Sequence, residues 1–253
     1  MIRTVITYGC WMLASATSAG QTATLQMRFV LDGAPPPVKQ IDVAPAFAPA
    51  VGPIIDERLL VDPKSRGIKN ILVYVYTGRE GTKIEVPPRQ NQRRRLTMAN
   101  ARFDPHILIA QAGDTLELVE RGPNQHNPNL SFFANTPRGI LIPPGRPNLI
   151  PLLKPEPAPI PVDCNIHPWM RAYVVVLDHP FAAVSDSDGN LKIAELPTDT
   201  SLTFRVFHEA GRIDHVKISG VDTDWRRSRF DIELAAGVND LGDILIPPES
   251  LTY

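Results

Sequence analysis

One stretch of this sequence predicts its fold: Cys164-Asn165-Ile166-His167-Pro168-Trp169-Met170. It holds a thiol, an imidazole and a thioether in a single short loop, with the spacing Cys-x2-His-x2-Met. Soft sulfur ligands combined with imidazole select copper over magnesium or calcium. Electron-transfer copper sites use two histidines, one cysteine and a weakly bound axial methionine. The loop supplies all of these ligands except one histidine, which we expect to come from a distant strand.

The best candidate for the missing ligand is His126, in the run Pro123-Asn124-Gln125-His126-Asn127 after a predicted strand at 115–120. An isolated His-Asn pair is more typical of a surface turn, but its combination with the Cys-x2-His-x2-Met loop favours a ligand. Asn127 is expected to hydrogen-bond back to the loop and hold the two segments together. Three residues of the loop itself are expected to support the ligands: Asn165, Pro168 and Trp169. The proline and the tryptophan would stiffen and shield the loop.

The N-terminus is typical of an export signal. Arg3 supplies a positive charge, and the segment from Val5 to Ala16 is apolar or small and carries no charge. Small residues that a signal peptidase accepts end at Ala16 and again at Ala19. A buried first strand or helix is the alternative, and the uncharged stretch is too short for a secure membrane span. We therefore predict a signal peptide at 1–19 and an exported protein, periplasmic or on the cell surface, that does not span the membrane after signal removal.

Cysteine usage agrees with a specialised role for the loop. The sequence has only two cysteines, Cys10 and Cys164, and the first lies inside the predicted signal. The mature protein would then carry one unpaired thiol in an oxidising compartment, where it invites oxidation or crosslinking. A free cysteine is usually a small buried hydrophobe. The neighbours of Cys164 favour a chemical role instead.

The pattern of apolar residues predicts a mostly β protein. Residues Leu25 to Leu31 alternate with a period of two, and Ile71 to Tyr76 form a β-branched and aromatic run. From Leu96 onward, short strands and turns follow one another at a spacing typical of a sandwich or barrel. No amphipathic helix longer than about two turns is evident.

Composition excludes some classes of partner. The formal net charge is -1, so the chain has no global attraction for nucleic acid, and we expect none to bind. Many of the 26 prolines lie in clusters that cannot be helix interiors or central strands, which favours extended surface connections. Arg93-Arg94-Arg95 is interpreted as a solvated turn rather than a docking site.

Four segments, in order along the chain, resemble the cupredoxins, the blue-copper proteins: Phe103-Asp104-Pro105, Ala112-Gly113-Asp114-Thr115, His126-Asn127 and Cys164-Asn165-Ile166-His167. The short ligand loop is most similar to that of amicyanin, whereas plastocyanin and azurin have longer loops. The resemblance implies a Greek-key β-sandwich at 95–178 that holds one copper ion, cycling between Cu(I) and Cu(II). It also implies three strong ligands and a weak axial one: His126, Cys164 and His167, and then Met170.

The flanking sequence carries weaker resemblances. The region from Cys164 to Pro180 is similar to exported bacterial proteins described as methylamine-utilisation or plastocyanin-like. Segment 181 to 253 resembles transthyretin-like or carboxypeptidase-regulatory modules through Asp186-Ser187-Asp188-Gly189-Asn190 and the strands that follow it. We predict an N-terminal β segment at 20–94 and a second β-sandwich module at 179–253. The N-terminal strands either complete that module or belong to the copper domain.

The predicted function is one-electron transport, without enzymatic activity. The exposed edge of His167 would be the electron port by resemblance, and the redox partner would be a protein that the sequence does not identify. The alternative is a copper-binding or surface structural module without a redox partner. An oxidase or reductase would need a second copper or an open substrate position, and no further histidine cluster is evident. His106 is interpreted as an exposed strand residue and His179 as structural.

Overall fold

The computed structural model describes residues 21–43, 53–86, 89–143, 145–198 and 200–252. Within these ranges the chain is almost entirely β, as predicted, with one short 3-10 helix at Pro248–Ser250. The predicted signal peptide at 1–19, with Cys10, lies outside the described residues. In the described part, no helix has the length and apolar character needed to cross a membrane.

The strands of the described residues form two β-sandwiches and a small ribbon. In chain order the strands are β1 (Thr22–Leu31), β2 (Gln40–Ile41), β3 (Ile54–Ile55), β4 (Leu72–Val75), β5 (Arg93–Ala99), β6 (Arg102–Asp104), β7 (Ile107–Gln111), β8 (Thr115–Glu120), β9 (Pro128–Leu130), β10 (Arg138–Gly139), β11 (Asn148–Pro151), β12 (Ile160–Cys164), β13 (Arg171–Leu177), β14 (Ala182–Val184), β15 (Asn190–Pro197), β16 (Ser201–Phe207), β17 (His215–Ile218), β18 (Val221–Asp224), β19 (Arg229–Glu233) and β20 (Gly237–Ile246). The ribbon is the antiparallel pair β2 and β3.

The first sandwich, called here the central sandwich, is built from β5 to β13. One sheet has the strand order β10-β9-β12-β13-β7, and the other has the order β11-β8-β5-β6. Apolar side chains alternate inward from both sheets, as on half-buried strands. Together they form one buried cluster that includes Leu96, Leu116, Leu118, Val162, Cys164 and Met170. The predicted copper loop is therefore continuous with the core of this sandwich.

The second sandwich, called here the flanking sandwich, joins strands from both ends of the chain. Its sheets have the orders β15-β1-β20-β17-β18 and β14-β4-β16-β19. Strand β1 pairs antiparallel with β15 and parallel with β20, and β4 lies between β14 and β16. The N-terminal strands thus take central positions among C-terminal strands. The exact boundaries at 20–94, 95–178 and 179–253 stay a prediction.

Strand β4 links the two sandwiches. All four of its residues are buried, so both of its faces require cover, as the apolar sequence indicates. Val73 and Val75 pack into the core of the flanking sandwich. Leu72 and Tyr74 pack instead in a smaller cluster with Ile107, Val175 and Leu177 of the central sandwich. This cluster is an apolar contact between the two sandwiches.

The interpretation of the basic run at 93–95 as a turn was wrong, because these residues open β5. The strand runs parallel to β8. Nε of Arg94 lies 3.1 Å from the carboxylate of Asp114, and Nε of Arg95 lies 2.8 Å from the carboxylate of Glu117. Acidic partners on the neighbouring strand and turn allow three consecutive arginines within a sheet, which charge counting along the sequence does not reveal.

Candidate metal centre

Strand pairing brings His126 next to the loop, although 38 positions separate it from Cys164. Strand β12 ends at Cys164, and its register with β9 places Cys164 opposite Pro128. His126 lies two residues before Pro128 and forms an isolated bridge with Ile142, whose N–H donates to its carbonyl at 2.8 Å. The antiparallel pairing of β9 with β12 thus places the distant histidine beside the loop.

The loop itself is a tight, hydrogen-bonded turn between β12 and β13. The N–H of Met170 donates to the carbonyl of His167 at 2.9 Å, and the N–H of Cys164 donates to the carbonyl of Met170 at 3.1 Å. These bonds hold the three loop residues that carry the predicted ligand atoms. Met170 is buried, at 2% exposure, in the core of the central sandwich.

Three potential ligand atoms converge in the described structure: Sγ of Cys164, Nδ1 of His126 and Nδ1 of His167. The two nitrogens are 3.1 Å apart, and the sulfur lies 3.9 Å from the first and 3.6 Å from the second. A point equidistant from all three atoms lies about 2.1 Å from each, the range of bonds between a metal ion and imidazole or thiolate. All three residues are buried. Among the described residues, this is the one cluster of His, Cys, Asp or Glu side chains with spacing suited to a metal ion.

The two imidazoles are held in the form that binds metals. Burial, followed by the charge of His167, lowers the pKa of His126 to about 4, and burial lowers the pKa of His167. Both rings are therefore neutral near pH 7 and offer a nitrogen lone pair. A proton shared between the two Nδ1 atoms would explain their 3.1 Å contact. It would not explain why a thiol lies close to both nitrogens, whereas one metal ion explains all three separations.

A buried carboxylate behind His126 was not predicted. Oε2 of Glu120 lies 2.9 Å from Nε2 of His126, on the side of the ring away from the cysteine. Burial raises the pKa of Glu120, although the backbone N–H groups of Gly122 and Arg121 donate to it. Oε2 is buried without an aligned hydrogen bond. A carboxylate buried in this way needs a compensating positive charge nearby. A metal ion on the far side of the imidazole would supply it.

The sequence does contain a signal for Glu120. Leu116 and Leu118 point into the core of the central sandwich. The period of two in β8 therefore places Glu120 at the next inward position. A charged residue in a core-facing row is unusual without a partner. The signal is a charged residue at a position where the alternation along β8 predicts an apolar side chain.

The residues predicted to support the ligands occupy three different environments. The side-chain amide of Asn165 donates to Oδ1 of Asn127 at 3.3 Å, and the Asn165 N–H donates to the Asn127 carbonyl at 2.9 Å. The predicted link between the two ligand segments is therefore present. Trp169 donates to the carbonyl of Ala101 at 3.1 Å, and its ring centroid lies 5.2 Å from that of His167. Pro168, in contrast, is exposed.

His106 does not occupy the exposed position expected for it. Its Nε2 contacts the carboxylate of Glu209 from the flanking sandwich, and only 9% of its side chain is exposed. Its ring also lies edge-on to Tyr173, with centroids 6.2 Å apart. His106 follows β6 and faces the contact between the two sandwiches, which the local sequence does not encode. It belongs to that contact and not to the metal cluster.

Comparison with known proteins gives only partial similarities to solved structures. No protein-family model matches the sequence, and a search of curated proteins gives no match. A solved copper-containing nitrite reductase from Thermus scotoductus SA-01 is 20% identical, over 41% of this chain and 25% of that one, with a TM-score of 0.30. An amicyanin variant in the Cu(I) state is 17% identical, over 33% of this chain and 81% of its own, with a TM-score of 0.30. A reduced amicyanin variant is 20% identical, over 32% and 79%, with a TM-score of 0.29.

This chain thus spans about a quarter of the nitrite reductase and most of amicyanin. The identities and TM-scores are too low to transfer an activity or a ligand set. The function therefore has to be argued from the geometry of the site.

Proposed function

We propose that this chain is an exported type 1 copper protein that carries one electron at a time. His126, Cys164 and His167 would hold the ion strongly, and Met170 would be the weak axial ligand. The observation that carries this proposal is the triangle of Sγ and two Nδ1 atoms, whose centre lies about 2.1 Å from each. Thiolate and imidazole together favour copper among the metals that such a site could select.

The chain supplies a frame that holds these ligands in place. Bound copper supplies one-electron exchange between Cu(I) and Cu(II). Backbone hydrogen bonds from β12 and from the turn at Met170 hold the cysteine, and the bridge to Ile142 holds His126. The Asn127–Asn165 bonds tie the two ligand segments to each other. Ligands positioned in this way need little rearrangement when the charge on the ion changes.

A copper titration of the purified mature protein tests the proposal. We expect one Cu(II) per chain and an intense visible band from the Cys164 thiolate, with a paramagnetic-resonance spectrum typical of a copper–thiolate site. Reduction should bleach the band reversibly. Failure to bind copper, or tight binding without the visible band, would reject this site. Mg(II) at the same concentration is the control for nonspecific binding of divalent ions, because thiolate and imidazole ligands disfavour it.

Export is part of the proposal and has its own test. Sequencing of the N-terminus of protein from the producing cell should show a chain that begins after Ala16 or Ala19. A soluble cytoplasmic pool that keeps Met1 would contradict export. The redox partner is proposed to be another protein, which cross-linking in the exported fraction would identify.

A second function is favoured by the burial of His167. Only 4% of this residue is exposed, whereas the resemblance to cupredoxins implies an exposed ring edge as the electron port. A copper-binding or surface structural module without a redox partner is consistent with that burial. Electron self-exchange separates the two functions, because a carrier exchanges electrons rapidly between copies and a closed binding module does not. Line broadening in mixtures of Cu(I) and Cu(II) protein measures the rate.

A further inference from the structure

Glu120 occupies a position that neither folding nor copper ligation alone explains. Its side chain is 1% exposed at the inward end of β8. Within the described residues, the one salt-bridge-range contact of its carboxylate is with Nε2 of His126, at 2.9 Å. Leaving a carboxylate buried without a cation is costly, and an apolar side chain there would continue the core. Because burying this carboxylate destabilises the fold, we infer that it has a role in the site.

The contact also decides which nitrogen of His126 faces the metal. Oε2 of Glu120 makes no aligned hydrogen bond to the ring, but a negative charge 2.9 Å from Nε2 favours the proton on that nearer nitrogen. The lone pair is then left on Nδ1, the atom 3.1 Å from Nδ1 of His167 and 3.9 Å from Sγ of Cys164. Carboxylates in this position fix the orientation of metal-bound histidines and make them more basic.

The charges at the site determine which oxidation state of copper is favoured. A thiolate and a carboxylate together carry two negative charges, so Cu(II) makes the buried site neutral overall. Cu(I) leaves one uncompensated negative charge. A low-dielectric interior favours the neutral arrangement, because net charge is poorly solvated there. Without the carboxylate the order reverses, since Cu(I) with the thiolate is neutral and Cu(II) leaves one positive charge.

We propose that Glu120 is a positioning residue that fixes the Nε2–H tautomer of His126 and lowers the reduction potential of the copper site. This inference rests on the proposed copper function and extends it. The carboxylate acts through the imidazole and through its charge, without contacting the ion. The carboxylate gives the site a higher affinity for Cu(II) than the same ligands would have without it.

The test is Glu120→Gln in the full mature chain, with the reduction potential as the main readout. Glutamine keeps the size and one acceptor oxygen but removes the charge. Loss of a carboxylate that supports a metal-bound histidine typically costs roughly 10- to 100-fold in metal affinity. We expect a loss of about 10-fold for Cu(II), with Cu(I) affinity little changed. A tenfold change in that ratio corresponds to a rise of about 59 mV in a one-electron potential.

Glu117→Gln is the matched control. Glu117 lies on the same strand, is similarly buried and makes its ion pair with Arg95 at 2.8 Å, not with a ligand. Its substitution removes the same charge and should change stability without changing the reduction potential or Cu(II) affinity. If both variants raise the potential equally, a general charge effect replaces the specific role of Glu120.

A second measurement does not depend on a variant that folds. In the diamagnetic Cu(I) protein, nitrogen chemical shifts of the His126 ring should show a proton on Nε2 that exchanges slowly with solvent. A rapidly exchanging Nε2 proton, or an unchanged potential in Glu120→Gln with its visible band intact, would overturn the role of Glu120 alone. A wild-type chain that binds no copper would overturn the proposed function, and this inference with it.

Discussion

Each sandwich buries a pair of histidines, but the ring nitrogens of the two pairs have different partners. In the flanking sandwich, Nε2 of His179 lies 2.8 Å from the carbonyl of Val75, and its Nδ1 accepts from the N–H of Phe181 at 3.1 Å. His208 is bonded in the same way to the carbonyl of Lys69, at 3.3 Å, and to the N–H of Ala210, at 3.2 Å. Each ring thus has one donor and one acceptor in use.

In the central sandwich, the two rings turn the same atom toward each other. Nδ1 of His126 and Nδ1 of His167 are 3.1 Å apart with a thiol beside both. Burial lowers the pKa in both sandwiches, so a lowered pKa does not distinguish a ligand from a structural histidine. The partners of the ring nitrogens do distinguish the pairs. His179 and His208 bond to backbone groups, whereas the Nδ1 atoms of the other two rings face each other beside a thiol.

The largest expected effect comes from ending the chain at Asp178. The truncated chain loses β14 to β20, so β1 and β4 lose every pairing partner that they have in the flanking sandwich. We expect loss of cooperative unfolding and aggregation, because long unpaired apolar strands associate. Urea denaturation and size-exclusion chromatography measure this.

A chain of residues 89–178 is the matched control for the truncation. It contains both sheets of the central sandwich and should retain copper binding. If residues 24–178 instead fold cooperatively and bind copper as stably as the full chain, the N-terminal strands belong with the copper site, and the comparison between two sandwiches fails.

Cys164→Ser should abolish the visible band completely. The band requires charge transfer from a thiolate to Cu(II), and a serine hydroxyl does not supply it. Visible absorption after copper addition gives the answer, with circular dichroism to confirm that the variant is folded. A retained band of similar intensity would show that the chromophore lies elsewhere.

Exchanging one histidine in each sandwich for alanine should separate metal binding from stability. His126→Ala should lower Cu(II) affinity by more than about 100-fold, since loss of a supporting residue alone costs up to that much. His208→Ala should leave affinity unchanged and cost about 1–3 kcal/mol of unfolding free energy for each buried partner left unbonded. Isothermal titration and urea denaturation measure the two quantities. Equal loss of copper affinity in both variants would remove the distinction between the pairs.

The copper-free protein should lose stability on acidification below pH 6.5. Burial holds the pKa of His126 and of His208 at about 4, below the ordinary value of 6.5 for histidine. The unfolded chain therefore binds more protons than the folded one between these values. The stabilisation is complete above pH 6.5 and is lost as the pH falls toward 4.

His208→Gln isolates the contribution of the flanking sandwich to this pH dependence. Its unfolding free energy should fall less steeply with acidification, by roughly one proton in the slope at most. Urea denaturation at pH 7.5, 6 and 5 measures the slope. An identical slope in the variant would mean that His208 does not titrate on unfolding.

The smallest expected effect is that of Met170→Leu. Loss of a weak axial donor should keep the visible band and raise the reduction potential, because Cu(II) loses more donation than Cu(I) does. A shift on the order of 60 mV corresponds to a tenfold change in relative affinity. Protein-film voltammetry measures it, and disappearance of the band would mean that Met170 holds the site together rather than tuning it.

The sequence by itself predicted the mostly β class and the residues that converge. The spacing Cys-x2-His-x2-Met is local, and the preference of soft ligands for copper depends only on residue type. The period of two in β1 and the doubly apolar run of β4 were also readable, because burial on one or two faces leaves a direct trace in side-chain polarity.

Tertiary structure decided what depends on partners distant in sequence. The register of β9 against β12 brings His126 close to Cys164. Ion pairs with Asp114 and Glu117 allow the basic run at 93–95 to lie in strand β5. The partner of His106 comes from the other sandwich. The fold also places the carboxylate of Glu120 2.9 Å from the His126 ring, a contact that the polarity pattern of β8 does not specify. The physical reason is that residue type determines what a side chain can bind, whereas long-range packing determines which atoms it meets.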